Sequence, residues 1–310
     1  MSWRDQVKTA INAGIDMVML SHGSGAHSAA DLAATLDSLV AAGDIPLERI
    51  LDAVRRILSV KCEMGLLDGD TAIAPELTAS IGSVEHRAVA RDAVRQSLVL
   101  LKNDGVLPLP KTLSRIHVTG SGADSLTKQC GGWTIGWQGL GTAGAATSTT
   151  TGTTLLAAVK KRFAGTGTTV TSSADGSGAA GADRAIVVVG EAPYAEGKGD
   201  SKNPTLTSAD FAAIAKVKAS GVPFVVVLYS GRPLILTDTQ GVSSLDQSNA
   251  FVAAWLPGSE GDGLTDVLFG DFPPTGKLSC SWPANLAQLP INDGDGKVPL
   301  FPFGYGLSYP

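Results

Sequence analysis

The chain has 310 residues, 44% of them hydrophobic, with a formal net charge of −5 and three cysteines. That length allows two domains or one large one. The acidic balance argues against a nucleic-acid partner, which calls for a basic face, and no apolar run approaches the ~20 residues of a membrane span. Cys62, Cys130 and Cys280 are widely separated and lack metal-ligand spacing. Their odd number leaves at least one free thiol, and all three are read as small buried residues. Met1 to Ala10 lacks the basic start and apolar middle of a signal peptide.

Taken in order, Val7 to Gly14 reads as the tail of a helix closed by a glycine. Ile15 to Leu20 (IDMVML) reads as a short buried strand. The small-residue loop Ser21 to Ala30 holds His22 and His27, read as polar loop groups, and no metal site is assigned. Ala29 to Ala42 is helical and Gly43 closes it; Pro46 opens the next helix. The apolar residues Ile50, Val54, Ile57, Leu58 and Cys62 of that helix follow helical spacing, and it stops near Gly65. One strand among three helices cannot close a core, so residues 1–65 read as the end of a larger α/β unit whose beginning is absent.

Leu66 to Gly82 is a linker containing Pro75. Ser83 is the N-cap expected for a helix from Val84 to about Leu101, with Val89, Val94, Leu98 and Leu101 as its buried stripe. Asn103-Asp104-Gly105 is a turn. Strands are then expected at Ile116–Thr119, Ala185–Val189, Phe224–Leu228 and Ala253–Trp255. Helices are expected at Thr154–Phe163, Ser208–Ser220 and Gly263–Phe269. This alternation predicts a mostly parallel sheet with helices on both faces over residues 83–283. The Thr/Ser/Gly tract Gly141 to Thr154 reads as a long surface loop. Residues 284–310 read as an extended tail anchored by Phe301, Phe303 and Tyr305.

The most chemically loaded stretch is Asp183 to Asp200, DRAIVVVGEAPYAEGKGD. Its apolar half is a strand covered on both faces. After Gly190 comes a loop carrying three carboxylates, Glu191, Glu196 and Asp200, and Lys198. That loop leaves the carboxyl end of a parallel strand, where open α/β sheets place their ligand sites. Gly120-Ser121-Gly122 invites a nucleotide-binding reading, but position 125 is Ser and no convincing helix opens there. Glu260 and Asp262 read as caps and dipole partners of the helix that follows them, and Arg232 as half of a structural salt bridge.

Seven segments in order resemble glycoside hydrolase family 3, the β-glucosidase and exo-β-glucanase family. They are AINAGIDMVML (10–20), RILDAVRRILSVKCEMGLLD (49–68), EHRAVARDAVRQSLVLLKNDGVLPLP (85–110), CGGWTIGWQG (130–139), VVVGEAPYAEGKGD (187–200), GSEGDGLTDVLFGDFPPTGKLSCSWP (258–283) and PLFPFGYGLSY (299–309). The tryptophan pair Trp133 and Trp137 looks most like the plant and bacterial exo-β-glucan hydrolase branch. The resemblance implies an α/β chain in which residues 1–65 are the remnant of a (β/α)8 barrel. It makes residues 66–82 a linker, 83–283 an α/β sandwich and 284–310 an extended tail.

The resemblance also implies chemistry. Retaining glycosidases hold two carboxyl groups about 5–5.5 Å apart, one a nucleophile and one an acid/base. The family's nucleophile is an aspartate upstream of the segment matching residues 1–20, so none is expected in this chain, and Asp5 stands in the wrong context. The acid/base, the glutamate of Tyr194-Ala195-Glu196-Gly197-Lys198-Gly199-Asp200, falls on Glu196. Glu191, directly after the strand, is the competitor, and is expected to be tied into the sheet end. An acid that keeps its proton near neutral pH needs burial or a second carboxylate, which Asp200 is placed to supply; Lys198 is expected to point elsewhere. Trp137, and less strongly Trp133, is the expected sugar platform. No cofactor is implied. The expected partner is a β-glucoside or β-glucan oligosaccharide, with the missing barrel portion of a parent protein. The family is often secreted or periplasmic. The rival reading is a non-catalytic carbohydrate-binding or scaffold remnant.

Overall fold

The computed structural model describes residues 1–20, 27–69, 74–139 and 151–309. Compact packing divides the chain into Met1–Ser80 and Ile81–Pro310. His22 and residues 141–150 of the Thr/Ser/Gly tract lie outside the described residues.

The first unit holds α1 (Trp3–Asn12), α2 (Ala29–Ala41) and α3 (Leu47–Glu63), with a 3₁₀ turn at Pro75–Ser80. Ser2 with Asp5 and Ser28 with Asp31 form capping boxes that satisfy the first N–H groups of α1 and α2. A small core of Val7, Ile11, Leu39 and Ile45 forms under them. The His27 ring stacks on Trp3 at 3.9 Å between centroids.

Two expectations fail in this unit, the strand at Ile15 to Leu20 and the burial of Cys62, while the helix from Pro46 forms as its spacing predicts. Ile15 to Leu20 is not a strand, and Ile15, Met17 and Met19 are exposed. Its apolar pattern suits an extended chain, but a strand also needs a neighbour to take its backbone N–H and C=O groups, and all six strands of the sheet come from the other unit. Along α3 only Ala53 is buried; Val54, Leu58 and Cys62 are exposed. Helical spacing marks a face without saying what covers it. Of the other cysteines, Cys130 is buried and Cys280 half-buried, and all three are free.

The second unit runs α4 (Val84–Ser97), β1 (Val99–Asn103), β2 (Arg115–Thr119), α5 (Leu126–Cys130), α6 (Leu155–Arg162), β3 (Thr169–Ser173), β4 (Arg184–Gly190), α7 (Ser208–Ala219), β5 (Phe224–Tyr229), α8 (Ser244–Gln247), β6 (Ala250–Trp255) and α9 (Gly261–Leu268). The six strands form one sheet in the order β1-β6-β5-β4-β2-β3. Every pairing is parallel except β1 with β6.

Period-two alternation divides the central strands between two cores. Ile186, Val188, Val225, Val227 and Val252 face a layer containing Val94 of α4, Val159 of α6 and Leu264 of α9. Ala185, Val187, Val189, Val226 and Phe251 face the opposite layer, with Phe211 and Ile214 of α7, Trp282 and Phe301. Every residue of β5 is buried, as a strand covered on both faces requires. The fully buried Trp282 donates its indole N–H to the Leu234 carbonyl at 2.8 Å.

Several boundaries move. The helix capped by Ser83 ends at Ser97, and the chain continues as β1, an antiparallel edge strand on β6. Val89 on that helix is 71% exposed. The polar edge strand β3 carries no apolar run. A short helix, α5, does open after Gly120-Ser121-Gly122, capped by Ser125. In the tail, Phe301 and Tyr305 stack at 4.7 Å, while Phe303, expected as an anchor, is 55% exposed.

Candidate active site

Parallel pairing brings the carboxyl ends of β2, β4, β5 and β6 to one edge of the sheet, and the loops that leave them meet there. Gly190 ends β4, and a Cβ on it would lie 2.0 Å from the Tyr229 carbonyl oxygen. Only glycine fits so close to β5. The next residue, Glu191, donates its backbone N–H to Tyr229.

The Glu191 side chain is fully engaged. Arg232, in the loop after β5, donates to Oε1 from Nε at 3.0 Å and from Nη2 at 2.7 Å. Tyr194 donates its hydroxyl to Oε2 at 3.0 Å. The guanidinium lies 4.5 Å over the Tyr194 ring, and its Nη1 donates to the Gly199 carbonyl at 2.6 Å. Arg232 thus clamps both ends of the loop. Burial and the Glu191 carboxylate push the Tyr194 hydroxyl up to about 12, since ionising it would place a second negative charge beside the first.

Glu196 is treated in the opposite way. It is exposed at the loop tip, and its side chain makes no hydrogen bond or ion pair among the described residues. Its backbone is left-handed, with φ of 25°, and Gly197 follows at 49°. A non-glycine residue there is strained by about 1–2 kcal/mol. The Lys198 N–H donates to the Glu196 carbonyl and the Asp200 N–H to that of Gly197, closing the turn. Asp200 and Lys198 are exposed.

The tryptophan loop follows α5. Trp133 and Trp137 are 67% and 51% exposed, with ring centroids 6.4 Å apart and planes at 57°. The Trp133 N–H donates to the Trp137 carbonyl at 3.0 Å, which fixes the loop's width. This loop lies on the Glu196 loop. A Cβ on Gly132 would fall 2.0 Å from the Tyr194 carbonyl oxygen, and Gln138 Oε1 accepts the Ala195 N–H at 3.0 Å. Lys128 of α5 donates to Ser121 at 2.7 Å and to the Gly190 carbonyl at 2.8 Å, tying the roots of both loops. Lys128, Glu191, Tyr194 and Leu256 help line a cavity of about 80 Å³ beneath them. A larger cavity, about 880 Å³, lies elsewhere over the start of α7, with Asp238 its one charged lining side chain among the described residues.

Gln138, Tyr194 and Lys128 carried no signal as supports of this edge; a glutamine between glycines and tryptophans reads as loop filler. Glu260 is not the side-chain cap expected of it. It stands at the N-cap position of α9, but its buried carboxylate pairs with Arg87 at 3.0 Å and accepts from Ser259 at 2.9 Å. Asp262 does lie in the first turn, paired with Lys161 at 3.1 Å. Among the described residues no group of three or more His, Cys, Asp or Glu side chains is disposed to hold a metal.

A layered α/β unit with exposed aromatic and acidic loops at the carboxyl edge of its sheet has the form of an α/β domain that places a ligand site at that edge. Residues 98–309 match the glycosyl hydrolase family 3 C-terminal domain, and the chain belongs to that family. It is 30% identical over 98% of its length to a periplasmic beta-glucosidase of Salmonella typhimurium, and covers 45% of that protein. It is 30% identical over 99% of its length to a lysosomal beta glucosidase of Dictyostelium discoideum, covering 39%. Among solved structures, the exo-1,3/1,4-beta-glucanase of a Pseudoalteromonas species superposes with a TM-score of 0.74 at 39% identity, over 97% of this chain and 38% of that one. The chain therefore spans less than half the length of these relatives.

Proposed function

We propose that this chain supplies the acid/base half of a retaining glycosidase that removes terminal β-glucosyl residues from β-glucosides or β-glucans, with Glu196 as the acid/base. The observation that carries the reading is the free Glu196 carboxylate on a strained, braced loop, five residues from a glutamate that is fully bonded. In the first step the Glu196 proton passes to the glycosidic oxygen as the C–O bond breaks, and an aspartate oxygen bonds to the anomeric carbon. In the second, the Glu196 carboxylate takes a proton from water while the water oxygen displaces that aspartate. The aspartate comes from outside this chain. The Asp5 carboxylate accepts from Ser2 in the α1 capping box, which supports reading it as a helix cap.

Trp137, with Trp133 beside it, serves as the platform for the C–H face of the sugar; both rings are exposed and held by their own loop. Residues 1–65 are the remnant of the (β/α)8 barrel, 66–82 the linker, 83–283 the sandwich and 284–310 the tail. The uncovered apolar face of α3 supports this, since a barrel helix packs against neighbours on both sides. A secreted or periplasmic setting fits the Salmonella relative, and among the described residues no helix is long and apolar enough to cross a membrane.

The purified chain is expected to show no turnover of aryl β-glucosides that Glu196→Gln reduces. Robust turnover lost in that variant would overturn the division of the site. Carbohydrate binding without catalysis, the reading that the exposed tryptophans alone also suit, would show as saccharide-induced quenching of tryptophan fluorescence with no role for Glu196 in any complete enzyme.

A further inference from the structure

We propose that Gln138 is a positioning residue for Glu196, an inference that rests on the acid/base reading above only for its catalytic meaning. The side chain is 94% shielded (6% exposed) and spans the two loops of the site. Its Oε1 accepts the N–H of Ala195, the residue immediately before Glu196, at 3.0 Å. Ala195 is itself buried, so its N–H relies on that acceptor. Immediately after this bond the chain turns left-handed, at φ of 25° for Glu196. Left-handed backbone at a non-glycine residue persists only where the surroundings over-determine it. Here the determinant that comes from outside the turn is the Gln138 bond to Ala195.

The other end of the amide sharpens the argument. Nε2 is buried and meets no acceptor among the described residues. A residue kept only for packing would be served as well by methionine, which buries no polar atom. A glutamine with one end bonded and one end unfilled is explained by the work of its oxygen. Because Gln138 directly follows Trp137, the same strut sets the sugar platform and the carboxylate as one body. A change in either loop is passed to the other through this contact.

Two variants test it by amide hydrogen exchange and backbone NMR on the full chain. Gln138→Met keeps the volume and removes the acceptor. It is expected to speed exchange at Ala195 at least tenfold and to move the Glu196 resonances and its ³J(HN,Hα) coupling away from left-handed values, while Val187 and Val226 in the sheet stay protected. Gln138→Glu keeps an oxygen in place and is expected to retain Ala195 protection and the Glu196 coupling. Unchanged exchange at Ala195 in Gln138→Met, or equal loss in both variants with the sheet intact, would overturn the proposal. These readouts need no turnover. If they behave as expected while Glu196→Gln proves harmless to a complete enzyme, the strut stands and the acid/base assignment falls.

Discussion

Glu191 and Glu196 leave the same strand five residues apart, and the fold handles them in opposite ways. Glu191 sits at the root of the loop, where parallel strands end side by side and a neighbouring loop delivers Arg232 within 2.7 Å. Glu196 sits at the tip, where nothing in the sheet reaches it, and the backbone rather than the side chain is held. A carboxylate at a strand end is recruited into the architecture because cations from adjacent crossovers meet there. One carried past that point stays free for a ligand, provided the loop beneath it is rigid. On the acid/base reading proposed for Glu196, a single loop divides structural and chemical work between two like residues.

The two glutamates should differ most in what they contribute to stability. Glu191→Ala leaves a half-buried guanidinium and the Tyr194 hydroxyl without their acceptor, and is expected to lower the unfolding free energy by about 2–4 kcal/mol. Glu196→Ala removes an unbonded exposed side chain and is expected to change it by less than about 0.5 kcal/mol. Denaturant unfolding of both variants checks this; equal losses would mean that the tip is as structural as the root.

A smaller effect lies in the alkaline limb. The Tyr194 hydroxyl is raised in the fold to about 12 from its ordinary 10. Its contribution is therefore fully present below pH 10 and is lost as pH rises from 10 through 12. Tyr194→Phe should flatten that part of the stability profile, and Glu191→Gln should move it to lower pH by removing the neighbouring charge. A profile insensitive to both changes would mean that the Tyr194 hydroxyl is not held protonated by burial beside the Glu191 carboxylate. The smallest effect is at Glu196 itself: Glu196→Gly relieves the left-handed backbone and should stabilise the chain by no more than about 1 kcal/mol. Destabilisation by more than the ~1 kcal/mol that glycine costs through the unfolded chain would contradict the strain assigned to this backbone.

Much of this arrangement was legible in the sequence. The short apolar runs flanked by turn residues located β2, β4, β5 and β6, and their alternation with helices gave a mostly parallel sheet. β1 was hidden because Leu98 to Leu101 continues the apolar pattern of α4; only antiparallel pairing with β6 separates strand from helix there. β3 was hidden because a polar edge strand carries no burial signal. Ile15 to Leu20 shows the converse, a strand-like pattern with no strand to pair with. At the site, the bonding of Glu191 and the salt bridge of Arg232 followed from their place at strand ends. The left-handed turn at Glu196 and the Gln138 bond did not, because a positive φ at a non-glycine residue carries no sequence signal and the bond joins two loops 57 residues apart along the chain at Gln138 and Ala195.

Azide rescue, in a protein where a nucleophile-bearing portion accompanies this chain, distinguishes Glu196 from Glu191 as the acid/base. With Glu196→Ala, a substrate with a very good leaving group should still form the glycosyl-enzyme, which then accumulates for want of a base to activate water. Added azide needs no such base; it should restore turnover and yield a β-glycosyl azide, while Glu191→Ala shows only reduced stability or a uniform loss of activity. Azide rescue with Glu191→Ala and none with Glu196→Ala would contradict the account.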